Sequence, residues 1–330
     1  MKKVILVSLM LVMLIMMFSL VSYGAEQAEF VIKVSLDEKA GGPRAVALES
    51  FKELVEEKSN GKIEVVNYLD GALGGNRETI EGVQLGTIEI GWPSNAPLTA
   101  WIPSLNLFEL PFLFKSPEHQ SAVLESDIAM GFEKDLSEKG FHLMGFGTVG
   151  LRNVMTTEKA INSIEDLKGL KIRLMETTAH LDAFEAFGAS PLPMAYAELY
   201  TALETGTIDG AEAANSNYYD KKFYEVAPNW AMLGWMYLVS PMIMNKASYD
   251  KLPADLQKIV DDAAREIISV ERGFYKKADK AKLVLLKEWG IKITTPDRAP
   301  FVEAAQVVYD KWAPIVGGRE RIDAILNFEY

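Results

Sequence analysis

The sequence predicts an α/β protein of two lobes, each a mostly parallel sheet flanked by helices, with one long helix spanning both. Three observations carry this. The chain has 330 residues, room for two domains of ordinary size. Apolar strand-like runs alternate with amphipathic helical runs, an order that builds parallel sheets covered on both faces, and the alternation occurs twice. An unbroken helical pattern then runs from Pro253 to about Trp289, roughly 50 Å at 1.5 Å per residue, longer than one small lobe. Hydrophobic residues make up 49% and charged residues 24%, so a core can form and the chain is not of disordered type.

The elements follow in order. Lys2 and Lys3, an apolar run from Val4 to Val21, and small residues at Ser22, Gly24 and Ala25 form the three-part layout of a secretory signal peptide over residues 1–24. The competing reading is an uncleaved membrane anchor, because the run approaches spanning length. Phe30 to Ser35 reads as a strand. Leu48, Phe51, Leu54 and Val55 recur at helical spacing with Glu and Lys opposite, and Asn60-Gly61 ends that helix. Ile63 to Tyr68 is a strand, Arg77 to Leu85 a helix and Thr87 to Trp92 a strand. The second round has strands at Gly140 to Phe146 and Lys171 to Met175, with a capped turn at Ser163 to Leu167 between them. Helices at Leu181 to Phe187 and Ala197 to Thr205, a short strand at Ile208 to Ala211 and a returning strand at Met242 to Asn245 complete it. Pro253 suits the first turn of the long helix and Gly290 its C-terminal cap. The expected lobes are residues 25–150 plus about 241–270, and 151–240 plus about 290–330, with the spanning helix at about 253–289.

Composition narrows the function classes. Net charge is −12, and −14 once Lys2 and Lys3 are removed, so nucleic acid, which needs clustered cations, is not an expected partner. An acidic protein that binds an anion must concentrate a few cations in one place. There is no cysteine, which excludes a lipid-anchored mature N-terminus; a chain of this length reaches stability by burial without disulfides. Export without cysteine suits a periplasmic or other extracytoplasmic address.

Several motifs fail on context. Gly145-Phe-Gly147-Thr-Val-Gly150 matches the dinucleotide spacing after a strand, but no helix follows, so these glycines read as a turn or crossover. His119, His142 and His180 lie far apart with no metal-ligand spacing, and no serine-nucleophile motif occurs. No acid pair stands out for acid–base work, although the fold could assemble one. The expectation is a protein with no cofactor, no metal and no catalytic residues.

One arginine remains of interest. In Lys171-Ile-Arg173-Leu-Met175, Arg173 points away from Ile172 and Leu174 near the end of its strand. Ligands of open α/β sheets bind beyond the carboxyl ends of strands, where a guanidinium can clamp a carboxylate. The plain alternative is a solvated strand-end arginine.

Longer segments then stand in a recognisable order: Asp166-Leu-Lys-Gly-Leu-Lys-Ile-Arg173, Gly188-Ala-Ser-Pro-Leu-Pro-Met-Ala-Tyr196 running on to Asp209-Gly-Ala-Glu212, and Lys222-Phe-Tyr-Glu-Val226. With Leu73-Gly-Gly-Asn-Arg-Glu78 and Leu110-Pro-Phe-Leu-Phe114, the chain resembles the solute-binding components of tripartite ATP-independent periplasmic (TRAP) transporters, the DctP family. The resemblance implies a two-lobed periplasmic-binding-protein-like fold. It implies capture of a small organic acid, a sugar acid or C4-dicarboxylate, by hinge closure, delivery to TRAP membrane permease subunits, and a monomer without enzymatic activity. The alternatives are a binding protein of an ATP-driven importer, an exported enzyme acting on organic acids, or a structural surface protein.

By the same resemblance Arg173 is the carboxylate clamp, Arg152 a second arginine after the crossover, and Tyr196 an aromatic along the ligand, with core packing as its alternative. Glu212 binds a hydroxyl or braces its loop. The family often has an asparagine in the next position, where this chain has Ala213; Asn215 or Asn217 is the candidate substitute. Trp235 sits where some members place a ligand contact. Asp37, Glu38, Ser94 and Asn95 follow first-lobe strands, where members gather hydroxyl-binding groups; solvated loop residues are the alternative.

Overall fold

The computed structural model describes residues 28–330, so the expected signal peptide at 1–24 lies outside the described residues. In chain order, β1 (Phe30–Ser35), α1 (Pro43–Lys58), β2 (Ile63–Tyr68), α2 (Asn76–Leu85) and β3 (Ile90–Gly91) form the first lobe's sheet and its cover. β4 (Phe141–Thr156) leads to β5 (Lys171–Leu174), α3 (Thr178–Ala186), β6 (Ser190–Pro193), β7 (Gly210–Ala213) and α4 (Asn215–Asp220). β8 (Asn229–Asn245), α5 (Ala254–Glu288), β9 (Lys292–Thr294) and α6 (Gln306–Val316) follow.

The strand order is β2-β1-β3-β8-β4-β7-β5-β6, with β9 on β8. β1 pairs in parallel with β2 and β3, and β5 in parallel with β6 and β7. These two parallel groups are the hearts of the lobes. What joins them is the antiparallel pair β4 and β8, matched from Phe141↔Asn245 to Thr156↔Asn229. Both strands pass from one lobe into the other, so the lobes share one nine-stranded sheet.

The crossover needs its glycines. Gly145 and Gly150 have φ of +147° and +78°, and the β4–β8 register slips at Leu143/Gly145 and Thr148/Leu151. Such bulges bend and twist a strand where ordinary pairing cannot continue. The dinucleotide-like spacing therefore belongs to the crossover between the lobes.

α5 is the predicted long helix, 35 residues of it, and packs on both α1 and β4 as well as on α4. Its core face alternates with charged residues at helical period. α1 with β1–β3 and the first half of α5 enclose one core, including Phe51, Trp92 and Ile267. A second core around Trp230 and Tyr218 lies under β7. The largest joins the lobes on one side, with Phe108 and Phe146 in the same cluster as Phe184 and Trp312. That cluster draws on elements the sequence left unread: the turns at Pro103–Glu109, the helices from Pro117 to Glu138, and α6.

Candidate ligand-binding site

β7 lies between β4 and β5, so Glu212 on β7 can reach an arginine on either side. Arg152 Nε on β4 donates to Glu212 Oε2 at 2.5 Å, and its Nη2 to the Glu212 carbonyl at 3.2 Å. Arg173 Nη1 on β5 lies 3.7 Å from Glu212 Oε1. One side of the Arg173 fork is held by the Met194 carbonyl, which accepts from Nε at 2.9 Å and Nη2 at 2.7 Å. Arg173 Nη1 is left without a hydrogen-bond partner, although the residue is only 1% exposed. The Tyr196 ring sits 5.9 Å from the same guanidinium. The ring is partly exposed, but its hydroxyl is shielded from solvent and is also unpartnered. Buried polar groups are normally satisfied, so two orphans lining one cleft identify where a ligand belongs.

The first lobe supplies a third arginine. Arg44, in the first turn of α1, is buried and donates to Asp37 Oδ1 at 2.9 Å, Glu38 Oε2 at 3.3 Å, the Trp92 carbonyl at 2.8 Å and Ser240 Oγ at 3.3 Å. Asn76 Nδ2 donates to the other Asp37 oxygen at 2.7 Å, and Asn76 Oδ1 accepts from the Ser94 backbone N–H. Glu38 Oε1 accepts from the Arg44 and Ala45 backbone N–H groups, capping α1 where Gly42 has no side chain to do so. A Cβ at Gly42 would stand 2.2 Å from that oxygen.

Electrostatics separate the three cations. Burial works against each charge. At Arg44 the Asp37 and Glu38 carboxylates outweigh it, and at Arg152 the Glu212 carboxylate does, so both are held above the usual arginine value. At Arg173 burial prevails over Glu212, and the guanidinium is held below it. Burial also pushes the Glu212 carboxyl up, but Arg152 and then Arg173 draw it below the usual range. Among the three buried arginines, Arg173 is thus the one whose charge is least offset by neighbouring carboxylates.

Of the residues expected from sequence, Asp37, Glu38, Ser94, Arg152, Arg173, Tyr196 and Asn217 line the cleft. Asn217 Oδ1 accepts from Arg152 Nη1 and from Tyr275 Oη, each at 3.3 Å, so Asn217 rather than Asn215 stands beside the arginines. Four expectations are corrected. Asn215 accepts from Trp230 Nε1 at 3.0 Å and faces a separate cavity beside α5. Asn95 is buried, donating to Glu109 Oε1 at 2.6 Å and the Leu105 carbonyl. Trp235 is a core residue, edge-on to His180 and Phe184. Glu212 is fully buried behind both arginines, so it braces them and meets no hydroxyl.

Sequence reasoning missed Arg44, Asn76, Lys221 and Tyr275, which also line the cleft. Arg44 had a readable signal. A cation in the first turn of a helix opposes the helix dipole, which requires local anions to hold it. The others are ordinary residues until the chain folds. Among the described residues no group of three His, Asp or Glu side chains is arranged to hold a metal.

Residues 36–314 match the model of "Bacterial extracellular solute-binding protein, family 7", DctP. The chain belongs to that family. A solute-binding protein of Verminephrobacter eiseniae is 34% identical over 84% of this chain and 83% of its own. The TRAP periplasmic solute-binding protein of Polaromonas sp. JS666, bound to D-erythronate, superposes with a TM-score of 0.88 at 29% identity, covering 91% of this chain and 99% of that one. The corresponding protein of Sulfurospirillum deleyianum, bound to succinate, gives 0.86 at 30% identity, covering 92% and 100%. DctP-family TRAP proteins are periplasmic, bind small acids and work with membrane permease components. This chain is accordingly a solute-binding protein of the TRAP type.

Proposed function

We propose that this DctP-family protein is exported with loss of residues 1–24 and, as a monomer, carries a sugar acid or C4-dicarboxylate to a TRAP permease without altering it. The observation that carries the ligand site is the buried Arg173 Nη1 with no partner, beside the unpartnered Tyr196 hydroxyl. The ligand carboxylate meets the free end of the Arg173 fork, whose other edge the Met194 carbonyl holds in place. Tyr196 Oη donates the next hydrogen bond, and Arg152 and Asn217 complete the second-lobe wall. The first lobe, built on β1–β3 and bounded by the crossing of β4 and β8, then closes with Asp37, Glu38 and Ser94 over the ligand's other end. Closure removes water and strengthens the ion pair. The ligand favours the closed form because only that form contacts it from both sides.

Arg173→Ala tests this. Removing the partner of a buried carboxylate costs about 3–5 kcal/mol of binding. Calorimetry against the best ligand of a carboxylate thermal-shift screen should therefore show affinity reduced a hundredfold or more, with the circular dichroism spectrum unchanged. Near-native affinity in that variant rejects the role given to Arg173. Recovery of the ligand unchanged after prolonged incubation is expected of a carrier; a new product rejects it.

A further inference from the structure

A second cavity, of about 630 Å³, lies beside α5, walled by β4 at the crossover, by β8 and by the helix Pro117–Glu125. Most of its surface is apolar, and Tyr237 and Tyr275 line it. Among the described residues, Tyr275 alone borders both this cavity and the acid cleft. Five charged residues line the cavity. Four form pairs: Arg272 donates to Glu125 and to the Phe146 carbonyl, and Lys276 donates to Glu118. The fifth, Asp279, has no cation bonded to it. Its Oδ1 accepts from the Ser216 N–H and hydroxyl. Its Oδ2 accepts no hydrogen bond among the described residues and faces Gly150, where a Cβ would stand 3.0 Å from it. The same wall holds a glycine that the fold does not require. Gly273 lies in the interior of the 35-residue α5, where glycine is unfavourable relative to alanine, yet a Cβ there would meet nothing within 4 Å. A helix-interior glycine with free space above it leaves room for a group that is not part of the chain.

We infer that this cavity is a second ligand site, for a small aromatic amine whose ring lies against Tyr237 and Tyr275 and whose ammonium meets Asp279 Oδ2, and that its occupant is coupled to the acid cleft through Tyr275.

The geometry supports each part. The volume suits a small organic molecule, and an apolar wall with a few convergent polar groups is what such sites present. Tyrosine rings pack on an aromatic ring and attract a cation at their faces. Burial pushes the Asp279 carboxyl up, against the Ser216 bonds and the Arg152 charge, so an ammonium at Oδ2 relieves a standing penalty and gains a charge-assisted hydrogen bond. The coupling runs through one side chain. Tyr275 Oη donates at 3.3 Å to Asn217 Oδ1, the atom that also accepts from Arg152 Nη1. A Cβ on Gly150, at the bulge between the lobes, would stand 2.8 Å from the Tyr275 ring. The cavity exists in the form in which Lys39 and Lys221 bridge the cleft mouth. An occupant that fits it therefore favours that form, and acid and amine strengthen each other's binding.

Calorimetry on the full mature chain with 2-phenylethylamine, and with 2-phenylethanol as its uncharged counterpart, tests the site. The amine should bind saturably, about tenfold or more tightly than the alcohol. Gly273→Leu puts a side chain into the cavity and should abolish amine binding without lowering the melting temperature of the unliganded protein. Asp279→Asn keeps an acceptor for Ser216 and should bring the amine to within about threefold of the alcohol. Arg173→Ala should bind the amine as the unaltered protein does, which separates this site from the acid cleft. Saturation with the carboxylate that stabilises the protein most in the thermal-shift screen should tighten the amine about fivefold or more, and the amine should tighten that carboxylate by the same factor. Binding that does not saturate, alcohol bound as tightly as amine, binding undiminished in Gly273→Leu, or an amine affinity unmoved by the carboxylate overturns the inference. If no carboxylate stabilises the protein, the reading of Arg173 fails and the coupling with it, and the amine measurements alone decide the second site.

Discussion

Glu271 shows how one side chain can tie stability to pH. It lies fully buried on α5, where Oε2 accepts from the Thr148 N–H on β4 at 3.2 Å and Oε1 has no partner. Burial outweighs that bond and the nearby Arg44 charge, and pushes its carboxyl up to about 8. An acid whose folded value is raised holds a proton that the unfolded chain has already released. Stability from this group therefore falls as pH rises from about 4.5 to about 8, then levels. Glu271→Gln is expected to flatten that slope and to gain a few kcal/mol at pH 8, with no gain at pH 4; denaturant melts at the two pH values measure it. His142 slopes the same way for the opposite reason. Burial works against its charge, but bonds to Asp261 and Glu133 raise it to about 9, so the ion pairing is complete below about 6.5 and lost as pH rises through about 9. Gly147 is a steric case. A Cβ there would meet Trp92 at 2.8 Å and Glu271 Oε2 at 2.9 Å. Gly147→Ala should cost about 1–3 kcal/mol in the same assay.

At the scale of elements, α4 is the part that connects ligand, hinge and mouth. Its N-terminal half is bound to α5 through Ser216, whose N–H and hydroxyl both donate to Asp279 Oδ1. Its middle holds Arg152 through Asn217. Its end closes the mouth: the Asp220 carbonyl accepts from Lys39 Nζ at 2.8 Å, and Lys221 Nζ meets Asp70 Oδ1 at 3.1 Å. Lys39 and Asp70 follow β1 and β2, so both contacts cross between lobes. The Lys221–Asp70 pair is well exposed and contributes at most about 1 kcal/mol. Lys221→Ala should accordingly speed ligand release by about two- to fivefold with little change in association, and the difference from the unaltered protein should shrink at high salt. Stopped-flow release at two ionic strengths checks it; an unchanged release rate at low salt removes the latch role.

For the whole molecule, β4 and β8 are the strands that cross between the lobes, so they are the axis for the closure proposed above. Only the closed form surrounds the ligand, so binding and stability are linked. At a hundredfold excess over Kd the ligand adds about 2.7 kcal/mol, which for a chain of this size corresponds to a melting-temperature rise of about 4 °C. The rise should vanish in Arg173→Ala and persist in Lys221→Ala, because one removes the ligand's anchor and the other only the closure contact.

The alternation of strand and helix, the long helix, the glycine crossover and the residues proposed for the second-lobe site were readable in the sequence. Each is encoded locally: periodicity reports a buried face, Arg152 and Arg173 sit on β4 and β5 with β7 between them, and Tyr196 stands in the turn after β6. Ala213, where the family often has asparagine, raised Asn215 and Asn217 as candidate substitutes, and of the two only Asn217 lines the cleft. What the tertiary structure alone decided depends on pairs distant along the chain. Trp235 and Asn95 look like ligand contacts in isolation, but His180 and Glu109 claim their surroundings for the core. Glu212 is assigned its role by two arginines, one 60 residues away. Arg44 becomes part of the cleft only when the loop after β1 folds back over α1. Local sequence sets the conformations a segment can adopt; which cation remains uncompensated is settled by charges that only folding brings together.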